Sequence, residues 1–140
     1  MNMLIIKNIK LLVVHCSDTK DSNNLSALDI HEMHLKFGWD GIGYHKIINR
    51  SGKVENGRPE YWIGAHVKGK NRSSIGVCYI GGMDRNMKNW IDTRTEAQKK
   101  SLIELIKDLQ KKYPGSIVYG HRDFTSKKPC PSFDAKNEYK

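Results

Sequence analysis

The chain has 140 residues, of which 38% are hydrophobic and 28% are charged. This length and balance fit one globular domain and exclude a disordered chain. Its 24 lysines and arginines outnumber 15 acidic residues, and the formal net charge of +9 favours polyanionic partners such as nucleic acid, teichoic acid or anionic cell-wall polymer, or serves solubility alone.

The cysteines and the N-terminal residues indicate the cellular compartment to expect. Cys16, Cys78 and Cys130 show no C-x-x-C spacing, which argues against a disulfide framework or a four-thiolate zinc site. Lys7 and Lys10 interrupt the N-terminal apolar run, no small-residue cleavage site follows it, and no stretch approaches the roughly 18 apolar residues of a membrane span. We therefore expect no signal peptide, no membrane insertion, and synthesis and residence in the cytoplasm.

The predicted elements are mostly strands, with two helices between them. Apolar, β-branched runs of strand length predict strands at residues 9–15, 43–49, 61–67, 74–80 and 116–119. Capping-box patterns at Ser26 and Thr95 predict two amphipathic helices, which end at Gly38 and at the Tyr113-Pro114-Gly115 sequence. Because no repeat or linker divides the chain, residues 1–140 are expected to form a single α/β domain with a central mixed β-sheet flanked by α-helices.

Two histidines stand where an apolar strand gives way to a polar loop. These are His15 and His121, and Cys130 follows the second of them within the same loop. If the two strands are neighbours, the imidazoles and the thiol can converge into a set of three protein ligands with one open position, the arrangement of a catalytic zinc. Prolines on both sides of Cys130 stiffen its loop, and Lys128 favours the thiolate. Spacing alone leaves the alternatives of ordinary surface or core histidines and a small buried cysteine.

Five segments resemble the motifs of a known enzyme family in the right order. They read LLVVHCSDT, GWDGIGYHKIINRSGKVENGR, GAHVKGKNRSSIGVCYIGG, GHRDF and KPCPSFD. This series resembles the zinc-dependent N-acetylmuramoyl-L-alanine amidases of type 2, and within them the small amidases of T-odd coliphages. The resemblance covers nearly the whole chain, except the far termini and residues 83–94. It implies a fold similar to that of peptidoglycan recognition proteins.

The resemblance also implies a reaction and the residues that carry it. His15, His121 and Cys130 fall on the family's Zn²⁺ ligands, while Tyr44 and Lys128 fall on its catalytic tyrosine and lysine. The implied enzyme hydrolyses the amide bond between N-acetylmuramic acid and L-alanine in bacterial peptidoglycan. Its implied origin is a phage or prophage endolysin, which reaches the cell wall after release by a holin or by lysis.

Four residues are candidates for substrate binding. His66 either lines the groove or supports the metal site, and Trp39 beside the groove motif serves packing or binding. Lys68 and Arg72 belong to a basic loop that is either solvated or meets the stem-peptide carboxylates of peptidoglycan.

Other histidines and cysteines have simpler interpretations. His31 and His34 stand three apart on the first predicted helix, where a solvated helix face is favoured over a ligand pair. Cys16 follows His15 on a strand and is expected to point away from the metal, whereas Cys78 is expected in the core.

Two alternative roles stay open at this point. The first is a module that binds peptidoglycan without hydrolysing it, which the presence of Tyr44, Lys128 and Cys130 disfavours. The second is an additional role as inhibitor of a phage RNA polymerase, which the resemblance suggests and the +9 charge allows. We expect the protein to be a monomer.

Overall fold

The computed structural model describes residues 8–140, so the start of the N-terminal apolar run lies outside the described residues. The strands and helices follow one another in this order: β1 (Leu11–Cys16), β2 (Thr19–Lys20), α1 (Ala27–Lys36), β3 (Lys46–Ile48), β4 (Val54–Asn56), β5 (Ser74–Tyr79), β6 (Gly82–Met83), α2 (Glu96–Lys112), β7 (Ile117–Gly120) and α3 (Ala135–Glu138). Short 3-10 helices occupy Asn71–Ser73 and His121–Asp123.

A five-stranded mixed sheet is the centre of the molecule, as predicted, with the strand order β4-β3-β5-β1-β7. Four of its strands run parallel, and β4 pairs antiparallel with β3 at one edge. In the register of the sheet, Val14 on β1 lies opposite Gly120 on β7, and His15 lies opposite Cys78 on β5. The carboxyl ends of β1 and β7 therefore open at the same edge, where loops of parallel sheets build sites.

Both main helices begin at the residues that the sequence indicates. The Ser26 hydroxyl accepts a hydrogen bond from the Asp29 N–H, and the Asp29 carboxylate accepts one from the Ser26 N–H. Thr95 and Gln98 make the same reciprocal pair at the start of α2. Each box satisfies backbone donors that the first helical turn leaves unpaired, which confirms the two predicted helix starts.

The two helices cover opposite faces of the sheet. Leu102, Ile106 and Leu109 of α2 belong to the core cluster that contains Ile48, whereas Ile30 of α1 packs in the cluster that contains the preceding residue, Ile47. Because successive side chains of a strand point to opposite faces, α1 and α2 must lie on different sides. Within residues 8–140, no helix has both the length and the apolar character needed to cross a membrane.

One predicted strand is wrong. Residues 61–67 form no strand, because side chains outside this segment make hydrogen bonds with its backbone in place of a neighbouring strand. The Asn71 carboxamide oxygen accepts hydrogen bonds from the His66 and Val67 N–H groups, and Arg58 donates to the Ile63 carbonyl. The strand predicted at residues 43–49 is shorter in the structure, where only Lys46–Ile48 form β3. The residues before β3 belong to the site described next.

Candidate metal centre and active site

Three potential metal ligands converge at the carboxyl edge of the sheet. His15 is the penultimate residue of β1, His121 follows β7 directly, and Cys130 returns on the loop beyond it. One donor atom from each lies within 4.8 Å of the others, and the two imidazole centroids are 4.6 Å apart. The convergence follows from the parallel pairing of β1 with β7.

A chain of hydrogen bonds assigns the proton on the His15 ring. The Ser74 hydroxyl donates to the Lys70 carbonyl at 2.8 Å, so it accepts from His66 Nε2 at 3.1 Å. His66 Nδ1 is then an acceptor, and His15 Nε2 donates to it at 2.9 Å. The assignment follows from the hydrogen-bond network. It leaves the lone pair of His15 on Nδ1, and His66 holds the other ring nitrogen in the way that partners of metal-binding histidines commonly do.

The other two candidate ligands each present a buried donor atom at this point. His121 Nδ1 is buried and has no hydrogen-bond partner among residues 8–140, an uncommon state for a buried nitrogen. The Cys130 sulfur is buried as well and accepts a hydrogen bond from the Cys16 N–H at 3.2 Å. Two imidazole nitrogens and one sulfur are donors that zinc prefers, so the residues present fit this ion.

Burial keeps the histidines of this cluster neutral. Desolvation lowers the pKa of His15 well below its usual value, and the nearby His66, His121 and Lys128 lower it further. Desolvation likewise lowers the pKa of His66 and His121. A protonated imidazole cannot bind a metal, so these shifts hold the ring nitrogens in the state that coordination requires.

Lys128 lies beside the ligands and is paired with an acid that the sequence analysis missed. Its Nζ donates to Asp18 Oδ2 at 2.7 Å, while Asp18 Oδ1 accepts from the Cys16 thiol at 3.2 Å. Burial by itself lowers the pKa of Lys128, but the hydrogen bond and charge of Asp18 raise it overall, so the lysine is a cation at neutral pH. Nothing in the sequence marked Asp18, because an acid in a short loop is ordinarily solvated.

Tyr44 packs against His15, one of the candidate metal ligands. Its ring lies 4.9 Å from the ring of His15, and burial raises its pKa well above the usual value, so its hydroxyl stays protonated. Two histidines of α1 hold the loop in front of it, since His31 Nδ1 accepts from the Ile42 N–H and His34 Nδ1 accepts from the Gly43 N–H. The expected solvated face is therefore wrong for His34, which is buried between Trp39 and Tyr44.

A cavity of about 610 Å³ lies next to this loop. Trp39 and Arg72, two of the predicted substrate-binding residues, line it together with Arg58. Lys68 is exposed outside the lining, and His66 takes part in the hydrogen-bond chain to His15 instead. The structure thus separates the four candidates into two lining residues, one residue beside the metal ligands and one exposed lysine.

Comparison with known proteins identifies the family. Residues 6–133 match Amidase_2, N-acetylmuramoyl-L-alanine amidase. The chain belongs to this amidase family. It is accordingly an enzyme that hydrolyses the amide bond between N-acetylmuramic acid and L-alanine.

Relatives of this amidase come from phages, bacteria and animals. The endolysin of Enterobacteria phage T3 is 47% identical over 126 residues, which are 89% of this chain and 82% of the relative. The solved structure of the endolysin amidase LysCS from Clostridium intestinale has a TM-score of 0.81 and 31% identity, covering 99% of this chain and 84% of that one. Bumblebee PGRP-SA has a TM-score of 0.78 and 26% identity, covering 99% and 83%. The amidase therefore has the type 2 amidase and peptidoglycan recognition protein fold, as the sequence motifs implied.

The remaining cysteines of the amidase differ in their surroundings. Cys78 is fully buried in the core, as expected. Cys16 packs on the α2 side of the sheet, as strand alternation predicts, yet its sulfur lies within 4.8 Å of the Cys130 sulfur. It is closer to the proposed ligands than expected because the loop that carries Cys130 bends over the end of β1.

Proposed function

We propose that this amidase is a zinc-dependent endolysin of phage or prophage origin and that its single domain carries the whole activity. In this proposal His15, His121 and Cys130 hold Zn²⁺, and Tyr44 and Lys128 are catalytic. The observation that carries it is the meeting of three donor atoms within 4.8 Å, while His121 Nδ1 has no hydrogen-bond partner in the described residues. The likeness to phage endolysins supports the endolysin assignment.

Zinc held by these residues would lower the pKa of a bound water from about 15.7 towards 7 and would polarise the amide carbonyl. Lys128 supplies the positive charge for the carbonyl oxygen as it becomes an oxyanion. A donor preorganised for this task lowers the activation free energy by roughly 3 to 4 kcal/mol. Because a thiolate ligand leaves the ion with less positive charge than a third neutral histidine would, this help from Lys128 is needed. One loop carries both Lys128 and Cys130, so the ammonium group and the ion that Cys130 would hold can act on the same carbonyl group.

Tyr44 acts on the reacting bond through its protonated hydroxyl group. Its raised pKa keeps the hydroxyl protonated, so it can orient the attacking water or donate a proton to the leaving amine. The loop held by His31 and His34 fixes its distance from His15.

The substrate occupies the cavity next to the loop that precedes Tyr44. Trp39 offers an aromatic face there, and Arg72 offers a cation for the carboxylates of the stem peptide. Lys68 adds positive charge outside the lining, and His66 acts on the reaction through His15. In this proposal the bound peptidoglycan lies between the basic loop and the metal ligands.

The product of digestion tests the proposed reaction. Mass spectrometry of digested peptidoglycan should show new L-alanine amino termini and no new reducing sugar ends. Chelation should remove wall-clearing activity and added zinc should restore it. The Cys130→Ser variant should bind less zinc and lose most of its activity. Cut glycan bonds, or a metal-free protein with full activity, would refute the proposal.

A non-hydrolytic peptidoglycan-binding module is the alternative. It would hold purified cell wall yet never clear it, even with zinc supplied. An added role as inhibitor of a phage RNA polymerase is compatible with the +9 charge. A transcription assay with the cognate polymerase tests it, and absence of inhibition at stoichiometric protein would exclude it. We propose that the protein acts as a monomer and stays in the cytoplasm until holin-type release or lysis opens the path to the wall.

A further inference from the structure

We propose that Asp18 is a positioning residue that holds the Lys128 ammonium group in place for the reacting carbonyl. This inference rests on the catalytic role proposed for Lys128. Asp18 lies in the two-residue loop between β1 and β2, far from Lys128 along the chain. The carboxylate nevertheless meets the Lys128 Nζ at 2.7 Å, a short distance typical of a charge-assisted hydrogen bond.

Both carboxylate oxygens of Asp18 are used. Oδ2 accepts from Lys128, and Oδ1 accepts from the Cys16 thiol at 3.2 Å. Cys16 in turn donates its N–H to the Cys130 sulfur at 3.2 Å. These bonds fix the rotamer of Asp18 and connect it to the same loop that carries Lys128 and Cys130.

The backbone that carries Asp18 is held on both sides. Ser17 N–H donates to the Tyr79 carbonyl at 3.0 Å, and Thr19 N–H donates to the Gly81 carbonyl at 3.2 Å. Asp18 itself has a φ of +62°, in the left-handed region that aspartate and asparagine enter more readily than most residues. Local strain of this kind persists only where neighbouring contacts determine the conformation. The loop therefore presents the carboxylate in a defined place.

A lysine needs such a partner to act at a defined point. Its side chain has large rotamer freedom, and the Lys128 side chain is 32% exposed, so without Asp18 it would extend into solvent in many conformations. An ammonium group has three N–H donors. One of them reaches Asp18, and the others stay available for the carbonyl oxygen of the substrate. Asp18 can thus hold Lys128 without having to release it during the reaction.

The competing interpretation is a salt bridge with no role in catalysis. Many partly exposed ion pairs contribute little, and the Asp18 side chain is 30% exposed. The chain offers a matched example in the Asp21–Arg85 pair, which follows in the next residues, spans 3.3 Å and touches no proposed catalytic group. The two interpretations differ in one respect: positioning acts only through Lys128, whereas a structural role acts whether or not Lys128 is present.

A double-mutant cycle on the zinc-loaded enzyme tests this difference. Asp18→Gly removes the carboxylate without adding strain at positive φ, and Asp18→Asn keeps one acceptor oxygen without the charge. We expect Asp18→Gly to lower kcat about tenfold with KM changed less than about twofold, as for an interaction made in the transition state, and Asp18→Asn to lie between it and the wild type. Zinc content and Tm should stay unchanged, and the control Asp21→Ala should match the wild type.

The decisive measurement adds the same change to Lys128→Met. In that background Asp18→Gly should have no further effect on the rate, and single-turnover assays with enzyme in excess keep this slow variant measurable. An equal loss in both backgrounds, a loss of zinc, or an unchanged kcat in Asp18→Gly would overturn the inference. If Lys128→Met itself keeps full activity, the failure lies in the proposed role of Lys128, and that single variant reveals it separately.

Discussion

Two clusters of buried polar side chains in this amidase differ in how completely their charges are paired. At one end of the molecule the Arg94 side chain, only 3% exposed, donates to Asp92, Glu138 and the Tyr139 hydroxyl and lies 3.4 Å from the centroid of the Phe133 ring. At the edge of the sheet His15, His66 and His121 meet with no carboxylate among their hydrogen-bond partners in the described residues.

The pKa shifts of the two clusters reflect this difference. Burial alone would lower the pKa of Arg94, but hydrogen bonds to Glu138 and Asp92 raise it well above its usual value. Desolvation and nearby positive charges lower the pKa values of the histidines, and the negative charge of Asp18 near His121 does not reverse this fall. A fully paired cluster has no capacity left for a ligand, whereas neutral imidazoles with a free nitrogen can bind a cation. Buried polarity by itself therefore does not indicate a site, but an unused donor atom does.

Truncation of a proposed ligand should give the largest effect. His121→Ala should lower kcat/KM by at least about a thousandfold, because residues that act as one catalytic unit fail together. The free energy of unfolding of the chelated protein should stay within about 1 kcal/mol of the wild type. The substitution removes a buried nitrogen that has no hydrogen-bond partner in the described residues, so no hydrogen bond of that atom is broken. Wall-clearing assays measure the first quantity and urea unfolding the second, and metal analysis shows whether zinc is still bound. An active, zinc-containing variant would place the metal elsewhere.

Breaking the paired cluster should have the reverse outcome. Arg94→Met should lower the free energy of unfolding by about 3 kcal/mol, at the lower end for a broken buried pair because Asp92 and Glu138 reach solvent. Activity per folded molecule and zinc content should be unchanged. Lys99→Met, which breaks the exposed pair with Glu96, is the control and should change stability by less than about 0.5 kcal/mol. A loss of catalysis in folded Arg94→Met would mean that the two clusters are not independent.

The pH dependence of stability should be the smallest effect. Buried histidines and the acids around Arg94 should affect stability in different pH ranges. Burial lowers the pKa of His34 and His45, and each ring accepts a backbone N–H through Nδ1. In the unfolded chain these groups have a pKa of about 6.5, so the unfolded state binds more protons below that pH. Their contribution to stability is complete above about pH 6.5 and is lost as the pH falls through the folded-state pKa, by at most about 1.4 kcal/mol per group and pH unit.

Urea unfolding of the chelated protein at pH 7.5 and 5.5 measures this loss, to which the other buried histidines add. His34→Asn and His45→Asn keep an acceptor near Nδ1 and do not titrate, so each should reduce the loss. Arg94→Met should leave the pH dependence in this range unchanged, because the lowered pKa values of Asp92 and Glu138 affect stability only at more acidic pH. Equal pH dependence in all variants would contradict the histidine assignment.

Helices and strands were predicted correctly where the pattern that indicates them lies within a few neighbouring residues. The starts of α1 and α2 were predicted because a capping box is complete within four residues, and β1, β5 and β7 were predicted to within one or two residues because apolar runs are continuous. Residues 61–67 have a strand-like composition, but Asn71 and Arg58 take their backbone hydrogen bonds, which no local pattern reveals. The short strands β2, β4 and β6 are too brief to show a period.

The sequence by itself determined the fold class, the family motifs and the types of donor that meet at the site, because strand runs, helix caps and residue chemistry are properties of short segments. Only the tertiary structure decided that β1 and β7 are neighbours, that His66 sets the proton of His15, that His34 is buried behind Tyr44, and that Asp18 pairs with Lys128. Each of these relations joins residues that are distant along the chain or in separate elements. Their geometry depends on strand register and loop path, which packing of the whole domain establishes.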